Sequence, residues 1–434
     1  VISVSKGYDK KKILENFLFY SKCFVGLNEN EGPRQPWHDI HAKVEGPIAL
    51  DIKQNFEERW RYLSSNHDVP LAEITEDEYA LDAVPNIPEH EGGPWTMQLF
   101  RSINCDSCQF DDHRYSKLHQ KGGRRVEKSI QQCMVRQIRN AQRYIYLENQ
   151  YFLGSAYAWK DDCQILCNHL IPTEITQRIV SKIELGEPFK CYIVIPMYPE
   201  GDPATIPSQE ILFWQFKTME AMYRRIGHAI QENGTGTNPT DYLSFYCLAK
   251  RESPNDLPDD LDDPEPGSIA ETLRKTMRHP IYVHCKMSIF DDEYILIGSA
   301  NVNERSLEGN RDTEIAVGGY QPGKTIEGEE SPRGDVHSFR MALWAAHLGG
   351  YNEAYLQPES EDCFAKVKET TQEFWDLYTA DEPQHSDVKM LPYPINVDEE
   401  GNVTSLDAPW NCFPDTSASV LGGKSLLLGE KITT

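Results

Sequence analysis

The sequence predicts an α/β protein, a layered mixed sheet flanked by helices, with an irregular C-terminal region. Three observations carry that prediction. Apolar residues recur at helical spacing over 127–142, and RYIYLENQYF then reads as a strand ending in polar groups. The alternation repeats: a helix near 173–185, a strand in KCYIVIPM, a long amphipathic helix from about Ser208 to Gln231, and a strand in YLSFYCLAK. Finally, IYVHCKMSIFDDEYILIGSANVNERS holds two β-rich runs around Asp291-Asp292, the pattern of a hairpin.

The remaining stretches fit around these. Glu252 to Gly267 is rich in Asp, Glu and Pro and is expected to be an exposed loop. Val336 to His347 reads as another amphipathic helix, and the tail from Pro392 as irregular. The stripe Ile211, Leu212, Trp214, Phe216 and Met219 is expected to be helix core rather than a lipid groove.

Length and charge exclude several functions. A chain of 434 residues can bury a large enzyme interior in one core or in two to three domains. A formal charge of -25 opposes nucleic-acid binding, which depends on Lys and Arg neutralising phosphates. No run approaches the roughly 18 to 20 apolar residues needed to cross a bilayer, and the stretch from Val1 to Lys12 has no apolar signal core. A cytoplasmic protein is expected. Eleven cysteines, an odd number at low density, suit reduced thiols. Cys105 and Cys108 form a CxxC, and Cys163, Cys167 and His169 a loose group, but without zinc-site spacing, so no metal is expected.

The hairpin carries the chemistry. His284 and Lys286 are two apart on a predicted strand, so both side chains leave one face. An imidazole beside a fixed positive charge suits phosphoryl transfer: it can attack phosphorus or protonate a leaving oxygen while the ammonium neutralises non-bridging oxygens. Ser299 and Asn301 share a face of the returning strand. They join the first pair if the turn about Asp291-Asp292 has two or four residues, whereas three would set them on the opposite face, so an even turn is expected. Asp291 has the opposite parity to His284 and is expected to fix the turn. Glu314 is the kind of carboxylate that sets a catalytic imidazole's tautomer.

His284-x-Lys286-x4-Asp291 followed by Gly298-Ser299-x-Asn301 matches, spacing included, the HKD signature of the phospholipase D superfamily. The chain resembles its plant-type members in particular, through Pro36-Trp37-His38-Asp39-Ile40-His41, Glu148-Asn149-Gln150-Tyr151-Phe152, Glu304-Arg305-Ser306, Arg311-Asp312, Gly319-Tyr320-Gln321-Pro322, His337 to Trp344 and Phe413-Pro414-Asp415-Thr416 onward. The resemblance spans about Gly32 to Thr434. It implies a phospholipase D-like half fold in which two HKD motifs meet at one site. One His forms a phosphohistidine, and the other protonates the departing alcohol. Water then releases phosphatidic acid, or a primary alcohol takes the lipid. By this carry-over His284 is the general acid, Lys286 a phosphate ligand, Asp291 the third member of the catalytic signature, Ser299 and Asn301 supports, and Glu314 the group that orients a His.

The resemblance also divides the chain into a leader over 1–30 unlike the family, an inter-motif region over 31–130, the catalytic half over 131–330 and a family C-terminal region over 331–434. Plant-type enzymes carry a calcium-binding C2 domain and the first motif ahead of such a segment. A fragment or truncated gene model is therefore expected, with calcium needed by the full-length enzyme and no calcium site in this chain. His41-Ala42-Lys43 is no first motif, because the position five beyond that Lys is Ile48. Ala346, Ser288 and Phe290 depart from the usual family residues without touching the motif chemistry. The implied partners are a phospholipid membrane surface, bound peripherally, and the missing half. An isolated monomer should be nearly silent. The alternatives are a non-catalytic lipid- or phosphate-binding fragment and a homodimeric phosphodiesterase in which two copies of His284 face each other, which nothing in the sequence supports. Glu148, Asn149 and Gln150, ending a predicted strand, and His38 and Asp39 are candidates to line the pocket or only to cap structure.

Overall fold

The computed structural model describes residues 2–3, 36–65, 69–71, 94–110, 118–121, 123–256, 263–325 and 334–425. Residues 4–30 of the expected leader, the middle of the acidic loop (257–262) and the last nine residues of the family ending (426–434) lie outside them. Ile2–Ser3 pairs with His41–Ala42 in a separate two-stranded ladder, and the main frame begins with a short strand β1 (Trp37–His38), helix α1 (Ile48–Leu63), and strands β2 (Thr96–Asn104), β3 (His119–Lys121) and β4 (Arg124–Lys128). The predicted alternation follows: α2 (Ser129–Asn140), β5 (Tyr144–Asn149), α3 (Ile171–Leu185), β6 (Lys190–Val194), α4 (Ile206–Asn233) and β7 (Leu243–Arg251). After α5 (Ile269–Thr276) come β8 (Arg278–Val283), β9 (Lys286–Phe290) and β10 (Tyr294–Gly298), then α6 (Glu304–Leu307) and β11 (Glu314–Tyr320). Helices α7 (Asp335–His347) and α8 (Glu361–Thr379) and strand β12 (Met390–Pro392) complete the frame.

Among the described residues twelve strands join in one mixed sheet of order β1-β8-β7-β6-β5-β9-β10-β11-β2-β4-β3, with β12 on β7. At its centre β5, β6 and β7 run parallel, and β8 and β9 flank them antiparallel. Helices α3 and α4 are the crossovers that parallel strands require. Each begins with Pro in its first turn and stops at a left-handed glycine, Gly186 (φ 68°) or Gly234 (φ 62°), where a Cβ would be strained.

Both faces of the central strands are covered, which is why they read as unbroken apolar runs. On one face Ile145, Leu147, Ile193 and Phe245 pack with Ile138 of α2 and with Ile179 and Ile226 from the crossover helices. On the other, Tyr146, Tyr192, Val194 and Leu248 meet Leu343 and Trp344 of α7 and Phe364 of α8. In the expected stripe on α4, Leu212, Trp214 and Met219 are buried, so it serves as core.

The hairpin departs from expectation in two ways. Phe290 pairs with Tyr294, so the turn is the three residues Asp291, Asp292 and Glu293, and the expected even turn is wrong. Continued, that register sets Lys286 opposite Gly298 and Ser299 opposite Cys285, on different faces of the pleat. The reason is tertiary. Both aspartates adopt left-handed backbone (φ 56° and 58°) because their carboxylates are engaged elsewhere. Asp291 accepts from the backbone N–H groups of Gln142 at 2.6 Å, Arg143 at 2.8 Å and Tyr144 at 2.9 Å, clamping the entry to β5. The second departure is that the run holding His284 is two strands. β8 ends at Val283 and β9 begins at Lys286, yet β7, β6 and β5 lie between them in the sheet. His284 and Cys285 make the step across, so strand parity does not govern where His284 points.

Asp291 stands about 16 Å along β9 from Lys286, at the end remote from His284. Grouping it with the catalytic residues is corrected accordingly: it is a clamp. Burial raises its pKa, against the pull of the three N–H groups. Asp291→Ala leaves those buried donors without an acceptor and is expected to cost about 2–3 kcal/mol, read as a lowered urea midpoint with an unchanged slope.

Candidate active site

Ligand-facing groups in α/β sheets gather at the carboxyl ends of the parallel strands, and the step from β8 to β9 passes that edge. His284 is only partly covered there, its side chain 32% exposed. Its Nδ1 lies 2.9 Å from Asp39 Oδ2, across 245 residues of sequence. Trp37 stacks on the ring, centroids 4.5 Å apart and planes 26° from parallel. Asp39 follows β1, which pairs in parallel with the end of β8 at Tyr282 and Val283. That pairing brings both residues to the imidazole.

Lys286 opens β9, directly opposite Asn149 at the end of β5. Its ammonium donates to Gln150 Oε1 at 2.8 Å and to the backbone carbonyl of His284. Burial lowers its pKa, opposed chiefly by the charge of Asp39. For Asp39 burial disfavours ionisation, but the bond and charge of His284, the Ile40 N–H and Lys286 outweigh it, and its pKa falls. The edge thus carries an imidazole and an ammonium with a carboxylate bound to one and felt by both.

Glu314 accepts from the Ser299 hydroxyl at 2.6 Å and the Ser306 hydroxyl at 2.7 Å. Burial raises its pKa, against those bonds and the charge of Lys286. The carboxylate on His284 is therefore Asp39, and the expectation that Glu314 orients a His finds no such bond among the described residues. Two hydroxyls hold Glu314 instead. Ser299 reaches Glu314 despite its strand parity because it lies one residue past the end of β10. The side-chain oxygen of Asn301 is buried without a hydrogen-bond partner among the described residues.

The candidate pocket residues divide between the cleft and the layer beneath it. Gln150 touches Lys286, and Asn149 braces the wall through its side-chain oxygen, which accepts from Val302 N at 3.0 Å. Glu148 and His38 do not line the cleft, which corrects their assignment to it: Glu148 pairs with Met287 and projects to the other face, where His38 Nε2 meets it at 2.6 Å. Sequence reasoning missed Trp37, His347, Tyr146 and Cys285. The first was visible only as part of the block Pro36 to His41, and no spacing reports a contact across most of the chain. Cys163, Cys167 and His169 hold no common site, since Cys163 is exposed while the other two reach the carbonyl of Leu153.

The sequence model of the family Phospholipase D matches residues 9–422. That match begins inside the leader that the resemblance left out. Phospholipase D alpha 1 of Zea mays is 43% identical over 428 residues, 96% of this chain and 52% of that protein. Phospholipase D alpha 2 of Arabidopsis thaliana is 43% identical over 430 residues, 96% of this chain and 53% of that protein. The chain thus spans about half the length of these relatives. The solved structure of Nuc, a phospholipase D family member from Salmonella typhimurium, aligns with 52% of this chain and 84% of its own at 11% identity and a TM-score of 0.24. On the family match and the identity to the plant enzymes, together with a signature whose His and Lys meet at one edge of the sheet, the chain belongs to the phospholipase D family.

Proposed function

We propose that this chain supplies one half of a phospholipase D active site, acting on phosphatidylcholine-type phospholipids to give phosphatidic acid and the head-group alcohol. The observation that carries the reading is His284, bonded through Nδ1 to Asp39 and set beside the half-buried Lys286. With Nδ1 committed to a carboxylate, Nε2 is the atom that exchanges a proton with substrate.

A counterpart histidine, from a segment outside these residues, attacks phosphorus. The bond from phosphorus to the head-group oxygen breaks, and His284 Nε2 gives that oxygen its proton. Water then attacks the phosphohistidine and returns a proton to His284 as the phosphorus–nitrogen bond breaks. A primary alcohol in place of water yields a phosphatidyl alcohol. Lys286 neutralises the non-bridging oxygens, and the Gln150 bond aims it. Ser299, with Glu314 behind it, and Asn301 offer polar groups around the phosphate.

The chain works peripherally at a phospholipid surface on the cytoplasmic side; among the described residues no helix is long and apolar enough to cross a membrane. Calcium is implied by the resemblance and assigned there to a C2 domain. His38, Glu148 and His347 form a group of potential metal ligands among the described residues, but two nitrogens and one carboxylate do not suit an ion that takes six to eight oxygens. No step runs through calcium here.

The test uses the complete protein that contains these residues, given phosphatidylcholine and 1-butanol. Phosphatidylbutanol is the expected product, and Lys286→Met is expected to lower kcat/KM by about 10²–10³-fold. Failure to form a phosphatidyl alcohol from any glycerophospholipid would reject the reading.

A further inference from the structure

On the face of β5 turned away from Lys286 lies a carboxylate with every lone pair in use. Glu148 is fully buried. Its Oε1 accepts from His347 Nε2 at 2.9 Å and from the Tyr146 hydroxyl. Its Oε2 accepts from His38 Nε2 at 2.6 Å and the Cys285 thiol at 3.0 Å. An ionised carboxylate offers about four such positions, so the four donors fill it. Burial opposes its charge, but His38 and His347 outweigh that and keep its pKa well below the usual range. His347 Nδ1 is buried with no hydrogen-bond partner among the described residues, and burial lowers the pKa of that ring against the pull of Glu148.

Two histidines and a glutamate at this spacing also have the chemistry of a zinc site. The distances decide against it. Ligand atoms bound at 2.0–2.2 Å to a tetrahedral zinc stand about 3.3 Å apart, whereas these nitrogens and oxygens are 2.6 and 2.9 Å apart, the length of hydrogen bonds. With Tyr146 and Cys285 on the same two oxygens, no lone pair remains for an ion.

What this arrangement anchors is β1. That strand is two residues long and lies at the sheet edge, too short for its ladder to hold it firmly. The carbonyl of His38 accepts from the backbone N–H groups of His284 at 2.9 Å and Cys285 at 3.2 Å. On either side of His38 stand Trp37, stacked on the His284 ring, and Asp39, bonded to its Nδ1. We propose that Glu148, held from α7 by His347, is a positioning residue for His284: it fixes His38 and so keeps Trp37 and Asp39 seated on the imidazole. The consequence for turnover rests on the reading of His284 given above. The coupling itself is measurable without turnover.

The experiment is NMR on the isotopically labelled chain. The His284 Nδ1–H in its bond to Asp39 should give a downfield proton resonance, assigned by its loss in both His284→Gln and Asp39→Asn. Glu148→Gln keeps the size of the side chain but turns an N–H group against two of the donors. It is expected to abolish or broaden that resonance and to speed exchange of the His284 and Cys285 amides at least about tenfold relative to those of β9. Tyr146→Phe, which leaves the His38 bond in place, should preserve both signals. A folded Glu148→Gln chain with resonance and exchange unchanged overturns the proposal. So does stoichiometric zinc that this substitution removes, because an ion would then be what holds His38. If Glu148→Gln does not fold, the unsubstituted chain decides: the His284 and Cys285 amides must exchange as slowly as those of β9, and exchange at exposed-loop rates ends the idea. Loss of the resonance in Glu148→Gln, combined with full turnover by His284→Asn in the complete enzyme, would leave the positioning intact and refute only the catalytic reading.

Discussion

His284→Asn in the complete protein is expected to lower phosphatidylbutanol formation by about 10²–10⁴-fold, the range for loss of a general acid–base group. Asn is the informative choice because its amide N–H can replace Nδ1–H against Asp39, which keeps the carboxylate paired and the edge of the sheet in place. What is lost is the second nitrogen, the one that hands a proton to the leaving oxygen. The fall should therefore appear in kcat with KM little changed, as for an interaction made in the transition state alone. A better leaving group needs less protonation, so a substrate with a nitrophenol head group should recover much of the lost rate. Parental rates with phosphatidylcholine would refute the assignment of His284.

The second large effect concerns stability. Arg340 is fully buried and grips Asp292 with two bonds, Nε to Oδ1 at 2.7 Å and Nη2 to Oδ2 at 2.8 Å. The Tyr144 hydroxyl and His337 Nδ1 complete the shell of that carboxylate at 2.5 and 2.9 Å. Burial works against the charge of Asp292, yet Arg340, His337 and Tyr144 together hold its pKa far below the ordinary value. Arg340→Met removes the main counter-charge and leaves a buried anion, at an expected cost of about 3–5 kcal/mol. Replacing both partners is a different matter. Asp292→Asn with Arg340→Met removes both charges, and Asn tolerates the left-handed backbone found there (φ 58°). The double variant should recover at least about half of the loss, read from urea unfolding of all four members of the cycle. Additive single costs would show that Asp292 and Arg340 do not act as a unit. The pair also matters for function, since it fastens the β9–β10 turn to α7, the helix whose last residue locks Glu148.

Much of the frame was legible in the chain. Helices α2, α3, α4 and α7 and strands β5, β6 and β7 lie within a few residues of where periodicity set them, because each buries an apolar face or run long enough to carry a clear repeat. Strands β2 to β4 left no comparable signal. Arg124 to Lys128, for example, is almost wholly charged and is held in the sheet by its neighbours. The hairpin shows the limit of local reasoning. Its two runs were plain, but the turn length rested on carboxylates whose partners are the amides at 142–144 and a guanidinium at 340, invisible from the turn itself.

By itself the sequence determined the chemical inventory: an HxKx4D signature with GSxN behind it, an α/β frame, and a strongly acidic net charge. Residue type and short-range spacing are enough for that, since they decide which donors and charges exist and which elements can form. Only the tertiary structure decided who serves whom. Asp39 rather than Glu314 meets His284, Asp291 leaves the chemistry for the turn, and Glu148 passes from the cleft to the layer beneath it. Each of these depends on a contact across more than a hundred residues, or on a strand that breaks at the catalytic step. Hydrogen bonds reach only about 3 Å, so which groups share one is settled when the sheet closes.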